Sequence, residues 1–414
     1  MNNSNKITDR NARMINGPVN VIRLEGQVYG IKKVLYLFLD FHVDVQNQTQ
    51  CTNIYSEDIQ KYFVNSFDKL NQGSKIYDFF MEIHPSELIN GHTNFDSTDY
   101  RDKYIREVVK FFQKLFKFDP QKNKVEVNEL FKNVRLHYLD IRDYFQNYIY
   151  FTAKESVNIA RQFMINDYID PRGINEIVQI FKLIENHINQ IIDILSKQQP
   201  KSNTPPVIKF RSMDLDIKTI EYLTNKLQNS YNHVDIRNKM LGLLKDSIDD
   251  FQKFVETIKS TIMKLEKYSQ VIISNHNKLT KESMTNFYGY GLSQIIIREM
   301  ITDIVNTCDT FIYGRLLDIF AKFTDIYFLR RFLDKDYITN AIVYTGALHS
   351  NNYVHFLINE FDFRITHASY SKIDDMQELT NEIKKTTFDL TQELIYPEQF
   401  GQCSSMKGFP EEFN

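Results

Sequence analysis

The stretch VLYLFLDFH, residues 34–42, is the segment on which the fold of this chain depends. Six consecutive apolar residues are followed at once by Asp40, Phe41 and His42. An uninterrupted apolar run of this length predicts a strand that is buried on both faces, as in a parallel sheet covered by helices. Polar residues directly after such a strand predict a functional site at its carboxyl end.

Alternating and β-branched residues at 19–24 and 27–34 predict a short hairpin that enters the fold. Two further apolar runs in the first 150 residues, at 76–83 and 133–141, also end in polar side chains. Amphipathic patterns at 56–70 and 100–118 predict helices between these strands. Alternation of strands and helices predicts a parallel sheet, in which ligands collect at the carboxyl ends of the strands. The polar side chains at these ends are Glu82, Asp140, Arg142 and Asp143.

A helical period of apolar residues begins at about residue 151 and continues to about residue 285. In its clearest part, apolar residues recur at alternating spacings of four and three residues. This spacing predicts an antiparallel helix pair or a short coiled coil. The α/β pattern resumes afterwards, with a strand at 340–345 that leads into Gly346-Ala347-Leu348-His349 and then a predicted helix at 352–360. We therefore predict an α/β fold, in which a mainly parallel sheet with flanking helices is interrupted by a long all-helical insertion.

The predicted parts of the chain follow from these changes of pattern. They are a disordered tail (1–18), a first part of the α/β core (19–150), a helical insertion lobe (151–285), a second part of the core (286–370), and a C-terminal helix and tail (371–414).

The composition excludes several classes of protein. A formal net charge of −3 does not indicate a nucleic-acid-binding surface over the whole protein, although a local basic groove stays open. The three cysteines, Cys51, Cys308 and Cys403, form no CxxC pair, so we expect neither a disulfide framework nor a cysteine zinc site. We therefore expect the protein to be in a reducing compartment. No segment reaches the roughly 20 uninterrupted apolar residues of a membrane span, and the polar N-terminus lacks the apolar core of a signal peptide.

Three positions after the first strand, Asp40, His42 and Asp44, form a D-x-H-x-D pattern. Carboxylate and imidazole groups are good ligands for Mn, Co and Zn, and alternation in an extended chain places all three on one side. The alternative is an ordinary polar loop after a strand, in which the histidine is hydrogen-bonded and binds no metal.

The late G-x-x-H sequence and Glu82 are the other candidates for chemistry. Gly346 permits a tight turn or a close approach of a ligand, and we predict that Gly346 and Asn351 bind substrate. The alternative is a glycine turn followed by a helix cap. A carboxylate near the end of an apolar strand, such as Glu82, must be paired, protonated or metal-bound. Pairing with Arg142 is the alternative for Glu82. Asp140 and Arg142 would bind substrate or form an internal ion-pair network.

These elements resemble the TraB/TIKI and erythromycin esterase/ChaN-like superfamily. Its members carry a histidine after the first core strand, a glutamate after the second, and a late G-x-x-H. In this sequence His42, Glu82 and Gly346-Ala-Leu-His349 match those elements. The sequence departs from the family pattern at Leu39, where the early motif has glycine, and at Asp40, where glutamate is frequent.

The resemblance implies a metal-dependent hydrolase that acts on an amide, ester or peptide bond of a small-molecule or peptide substrate. His42, Glu82 and His349 would hold a divalent ion (Mn, Co or Zn), with Asp40 or Asp44 as general base or further ligand. An arginine before the late strand is also a family feature, and Arg330 or Arg331 would supply it and stabilise the oxyanion.

Two other functions stay open at this stage. The first is a catalytically inert interaction or virion-associated protein that uses the helical lobe and dimerises through its Ile248, Val255 and Ile262 face. The second is a metal hydrolase of the arginase/deacetylase type, which Asp40-x-His42-x-Asp44 also resembles, although no D-x-D follows a later predicted strand. The length, composition and motifs of this chain are similar to those of uncharacterised proteins of giant DNA viruses. The lack of a signal peptide predicts a location in the cytoplasm, which is the host cytoplasm for a viral protein.

Overall fold

The computed structural model describes residues 13–42, 51, 53–83, 103–119, 124–199, 217–282, 294–311, 315–398 and 401–414. The chain divides into two compact units. The first, which we call the α/β unit, consists of Met1–Ile141 and Tyr327–Asn414, and the second, the helical unit, is Arg142–Ile326. The helical unit is longer than the predicted insertion of 151–285, because residues 286–326 belong to it as well.

The strands and helices are as follows. The strands are β1 (Met14–Asn16), β2 (Asn20–Val28), β3 (Ile31–Asp40), β4 (Glu57–Asp58), β5 (Tyr77–Met81), β6 (Phe118–Asp119), β7 (Lys124–Val125), β8 (Val134–Tyr138), β9 (Asn340–Gly346), β10 (Arg364–Ala368) and β11 (Cys403–Ser405). The helices are α1 (Ile59–Leu70), α2 (Lys103–Leu115), α3 (Asp143–Asn166), α4 (Pro171–Ser196), α5 (Ile217–Asn229), α6 (Val234–Glu282), α7 (Gln294–Phe311), α8 (Leu317–Asp334), α9 (Ala347–Phe361), α10 (Met376–Lys385) and α11 (Phe388–Ile395), with a final 3₁₀ turn at Glu411–Phe413.

The main sheet of the α/β unit has six strands in the order β10-β2-β3-β9-β5-β8. Four neighbouring strands, β3, β9, β5 and β8, run parallel, while β2 runs antiparallel to both of its neighbours. The sheet is therefore mixed, and the prediction of an α/β class is confirmed in this coarser form. The antiparallel part follows from the predicted hairpin of β2 and β3. Its two-residue turn has positive φ at Tyr29 (51°) and Gly30 (76°), the requirement of a type I′ turn.

Strand β3 is buried over most of its length, as its apolar run predicts. Residues 33–40 are all buried, because β2 and β9 pair with both of its edges and helices and loops cover its faces. On one face, an aromatic layer packs edge-on around Phe38, with ring centroids 4.9 Å from Phe63 and 6.2 Å from Phe413. The core is thus built around the segment quoted first.

Both ends of the chain are more ordered than expected where the structure describes them. Of the predicted tail 1–18, residues 1–12 lie outside the described residues, and Met14–Asn16 is strand β1, paired with β4 and β11. The single helix expected within 371–414 is two helices, because Thr386 and Thr387 adopt extended backbone conformations. The last residues do not form a loose tail either, since Phe413 is 2% exposed.

The apolar face predicted for the long helix packs inside the helical unit. Helices α4 and α6 pack against each other, and Val255 and Ile262 on α6 are 4% and 6% exposed. The predicted dimer face is therefore wrong for these residues, because the same chain already covers them. Among the helices that the structure describes, none combines the length and the apolar character that a bilayer span needs.

The cysteines differ from the expectation of free thiols. Cys51 and Cys403 form a disulfide with a Cα–Cα distance of 5.0 Å, while Cys308 is free and buried. The pair is separated by 352 residues, so no local spacing in the sequence could indicate it.

We expect one free thiol in protein that is purified without reductant and denatured with an alkylating reagent. Reduction before alkylation should raise the count to three, because the sequence has three cysteines. Cys403→Ser should lower the free energy of unfolding by roughly 5 kcal/mol or less, the limit set by closure of a long loop. Mass spectrometry gives the thiol count, and three alkylated cysteines without reduction would contradict the disulfide.

Candidate functional site

Three parallel strands end at one edge of the sheet and bring the main candidates together there. Asp40 is the last residue of β3 and lies opposite Gly346, the last residue of β9. Glu82 follows β5 directly, and its N–H continues the ladder by donating to the Tyr344 carbonyl at 3.1 Å. Because β9 lies between β3 and β5, residues that are far apart in sequence meet at this edge.

Asp40 orients His42 and is completely buried. Its Oδ2 accepts hydrogen bonds from the His42 backbone N–H (3.0 Å) and from ring Nδ1 (2.8 Å). Its Oδ1 accepts from the Tyr344 hydroxyl at 2.9 Å. Since an ionised carboxylate only accepts, His42 Nδ1 carries the hydrogen that is donated to Asp40. His42 Nε2 lies 3.8 Å from Glu82 Oε2.

Glu82 is a buried carboxylate at the N-terminus of helix α9. Its side chain is 5% exposed, and Oε2 accepts hydrogen bonds from Gly346 N (2.7 Å) and Thr345 Oγ1 (2.8 Å). The positive end of the helix dipole also favours a negative charge at this position. These groups stabilise the ionised form of Glu82 without a metal. Arg142, the pairing partner considered from sequence, belongs to the helical unit.

His349 lies in the first turn of α9, because this helix begins at Ala347 and not at residue 352 as expected. The Gly346 N–H, which precedes the helix, is already bonded to Glu82, so the helix begins directly after the strand. The His349 side chain is 5% exposed, and its Nε2 lies 3.5 Å from Glu82 Oε1. Glu82 therefore has one imidazole nitrogen within 4 Å of each carboxylate oxygen.

The distance within each histidine–glutamate pair can be compared with the distance between two ligand atoms of one metal ion. Two ligand atoms about 2.1 Å from one tetrahedral ion lie about 3.4 Å apart. The distance from His349 Nε2 to Glu82 Oε1 (3.5 Å) is close to this value, whereas His42 Nε2 lies 3.8 Å from the other oxygen, Oε2. Within the described residues, no three His, Cys, Asp or Glu side chains are arranged to hold an ion as they stand. His42, whose side chain is 34% exposed, has the most room to adjust.

The remaining predicted residues fall in different places. Asp44 lies outside the described residues. Asp140 follows β8 at the same sheet edge, and its N–H donates to the Ile83 carbonyl at 3.2 Å. Asn351 is buried on α9, where Nδ2 donates to the Phe388 carbonyl at 3.4 Å and Oδ1 has no hydrogen-bond partner among the described residues.

The two arginines predicted to stabilise an oxyanion lie on α8, where Arg330 is buried and Arg331 is half-buried. Arg331 donates from Nη2 to His137 Nδ1 at 2.9 Å, and its other hydrogen-bond partner within the described residues is the Tyr327 hydroxyl. The Arg330 guanidinium lies 5.5 Å from the Tyr327 ring centroid. The contacts of Arg331 therefore differ from the predicted role, because a buried histidine already occupies its guanidinium.

His137 joins Arg331 to a buried carboxylate. Its Nε2 lies 2.6 Å from Asp78 Oδ1, and Arg135 makes a bidentate pair with the same carboxylate at 2.9 Å and 2.7 Å. Because Arg331 can only donate, His137 Nδ1 accepts and Nε2–H donates to Asp78. Burial and the charge of Arg331 lower the pKa of His137 to about 4.

This pKa predicts loss of stability in acid. The unfolded chain takes up a proton at His137 below about pH 6.5, whereas the folded protein does so only near pH 4, so stability falls as pH falls through this window. Between pH 7 and pH 5 the loss should be about 2 kcal/mol. Chemical denaturation of wild type and His137→Gln at both pH values measures it, and an equal loss in the variant would refute it.

Gly346 is required by the space beside it. A Cβ at this position would lie 2.9 Å from His42 Nε2 and 3.3 Å from Glu82 Oε2. No larger residue fits without displacing the histidine ring.

We therefore expect Gly346→Ala to fold but to move the His42 imidazole away from Glu82. The ring can shift because it is partly exposed, so the cost in stability should be about 1 kcal/mol or less. The NMR signals of the His42 ring report the displacement. Gly242→Ala on α6 is the matched control, because nothing lies within 4 Å of its added methyl group. Unchanged His42 signals in Gly346→Ala would disprove the steric argument.

Two residues that hold this site were not predicted from sequence. Tyr344 and Thr345 lie in the apolar run of β9 and were interpreted only as strand residues. The one signal in the sequence is the hydroxyl-bearing pair directly before Gly346. Their partners, Asp40 and Glu82, are 304 and 263 residues away.

Comparison with known proteins finds viral proteins that are similar to this chain over almost its whole length. Three uncharacterised proteins of Acanthamoeba polyphaga mimivirus are 50%, 35% and 33% identical to it, covering 100%, 98% and 99% of this chain and 100%, 99% and 99% of their own lengths. The predicted similarity to giant DNA virus proteins is confirmed. These relatives do not test the resemblance to the TraB/TIKI superfamily, which stays a prediction, and no solved structure matches. A family model described as "Family of unknown function (DUF5847)" matches residues 13–414, so the chain belongs to this family.

Proposed function

We propose that the protein is a metal-assisted hydrolase that acts on an amide, ester or peptide bond of a small-molecule or peptide substrate. The observation that carries the proposal is the position of Glu82 between His349 and His42, at 3.5 Å and 3.8 Å, at the carboxyl edge of the sheet. Ligand sites of open α/β sheets lie at this edge. The resemblance to the TraB/TIKI and erythromycin esterase/ChaN-like superfamily supports the same residues.

Each residue has a distinct role in the proposed centre. His349 Nε2 and Glu82 Oε1 are both buried, and His42 Nε2 supplies the third ligand atom from the more exposed side. When bound, a divalent ion (Mn, Co or Zn) would polarise the substrate carbonyl and lower the pKa of a coordinated water. Asp40 keeps the His42 ring in the tautomer that leaves Nε2 available, as carboxylates do for metal-binding histidines.

The protonation roles differ from those expected from sequence. Both oxygens of Asp40 already accept hydrogen bonds from His42 and Tyr344, so in this proposal Asp40 positions His42 and does not act as the general base. Asp44 stays the predicted base. Arg331 has no part in the centre, because its guanidinium is bonded to His137.

Metal content of the purified protein tests the proposal. After dialysis against Mn, Co or Zn and removal of free ion, we expect about one ion per chain by elemental analysis. His42→Ala and His349→Ala should each weaken binding at least about tenfold, because each removes one ligand. His355→Ala is the matched control, since His355 lies on the same helix α9 but bonds to Thr391 at 3.0 Å.

A wild-type protein without a bound ion, or His349→Ala with unchanged affinity, would overturn this proposal. The second candidate, an inert interaction protein, would then be favoured by the surface of the helical unit. There the Asp167–Arg298 ion pair (2.7 Å) joins the end of α3 to the start of α7. Ile165 and Ile295 beside this pair are 69% and 70% exposed. Exposed apolar side chains indicate a contact surface where they form a contiguous patch.

A further inference from the structure

We propose that Tyr344 and Thr345, two consecutive residues of β9, are positioning residues of the proposed metal centre. Each holds one acidic side chain through a hydroxyl group. The inference rests on the proposed function, because positioning of Glu82 and His42 has a measurable effect only if these side chains bind an ion. Neither residue would contact the ion or the substrate.

Thr345 fixes the orientation of the Glu82 carboxylate. Its hydroxyl donates to Oε2 at 2.8 Å, and the neighbouring Gly346 N–H donates to the same oxygen at 2.7 Å. Thr345 is fully buried, so water does not compete for this bond. With two donors on Oε2, the other oxygen, Oε1, is the one that faces His349 at 3.5 Å.

Tyr344 fixes the orientation of His42 through Asp40. Its hydroxyl donates to Asp40 Oδ1 at 2.9 Å, and Asp40 Oδ2 holds the backbone and the ring of His42. The Tyr344 ring is fully buried and packs edge-on against Phe63 with centroids 6.1 Å apart. The aromatic core therefore sets the hydroxyl position, and the hydroxyl sets the carboxylate that orients His42.

Side chains alternate between the two faces of a strand, so two consecutive residues of β9 can contact both Asp40 and Glu82. Successive side chains of β9 point to opposite faces of the sheet. β9 pairs with β3 along one edge and with β5 along the other. Tyr344 therefore reaches Asp40 at the end of β3 on one face, while Thr345 reaches Glu82 at the end of β5 on the other.

A purely structural role for these hydroxyls makes a different prediction. Buried hydrogen bonds of this kind stabilise the fold, and their loss would lower the melting temperature whether or not an ion binds. A positioning role also changes metal affinity, and a variant that restores only the hydroxyl should restore that affinity. Metal affinity compared among folded variants separates the two.

The first experiment measures binding of Mn, Co and Zn to Thr345→Val by isothermal titration calorimetry. This variant keeps the shape of threonine but cannot donate to Glu82, so we expect affinity about 10- to 100-fold weaker than wild type. Thr345→Ser should recover most of the loss. Thr380→Val is the matched control, because Thr380 is buried and hydrogen-bonded to Ile365 N at 3.0 Å, outside the proposed centre.

The second experiment tests the role of Tyr344 with the variant Tyr344→Phe, which should also weaken metal binding about tenfold or more. Tyr36→Phe is its control, since Tyr36 lies in the same aromatic core but bonds to the Asn414 carbonyl at 3.2 Å. If wild type binds no ion, both this inference and the proposed function are wrong. If wild type binds while Thr345→Val and Tyr344→Phe match their controls, only the positioning inference fails.

Discussion

The parallel pairing of β3 with β9 is the interaction on which the rest of the structure depends. It places Asp40 opposite Gly346, although about three hundred residues separate them, and it lets β9 pair with β5 on its other edge. Without this register, His42, Glu82 and His349 would have no common location. Burial stabilises the pairing, since residues 33–40 of β3 and all of β9, residues 340–346, are buried.

The sequence was informative where a feature depends on neighbouring residues. The apolar run of β3, the hairpin before it and the polar residues at the strand ends all have local patterns, and the structure has these elements close to the expected bounds. Their side chains meet for a simple reason, which is that parallel neighbouring strands end at the same edge. The location of the candidate site could therefore be inferred from periodicity alone.

Features that depend on distant partners could not be predicted in this way. Helix α9 begins five residues early because the Gly346 N–H bonds to Glu82, 264 residues away. Arg331 contacts His137 across 194 residues, and this contact changes its expected role. Hydrophobic periodicity carries no information about such pairs. The same limit explains why Tyr344 and Thr345 looked like ordinary strand residues.

The Cys51–Cys403 disulfide has a consequence for how the chain responds to cleavage. Together with the backbone it closes a covalent ring that contains Glu82, His349 and the whole helical unit, whereas His42 precedes the ring. A protease that cuts once anywhere between these cysteines leaves the two pieces covalently joined. All three proposed ligands would then stay on one connected molecule, and the helical unit could be cut once without being lost.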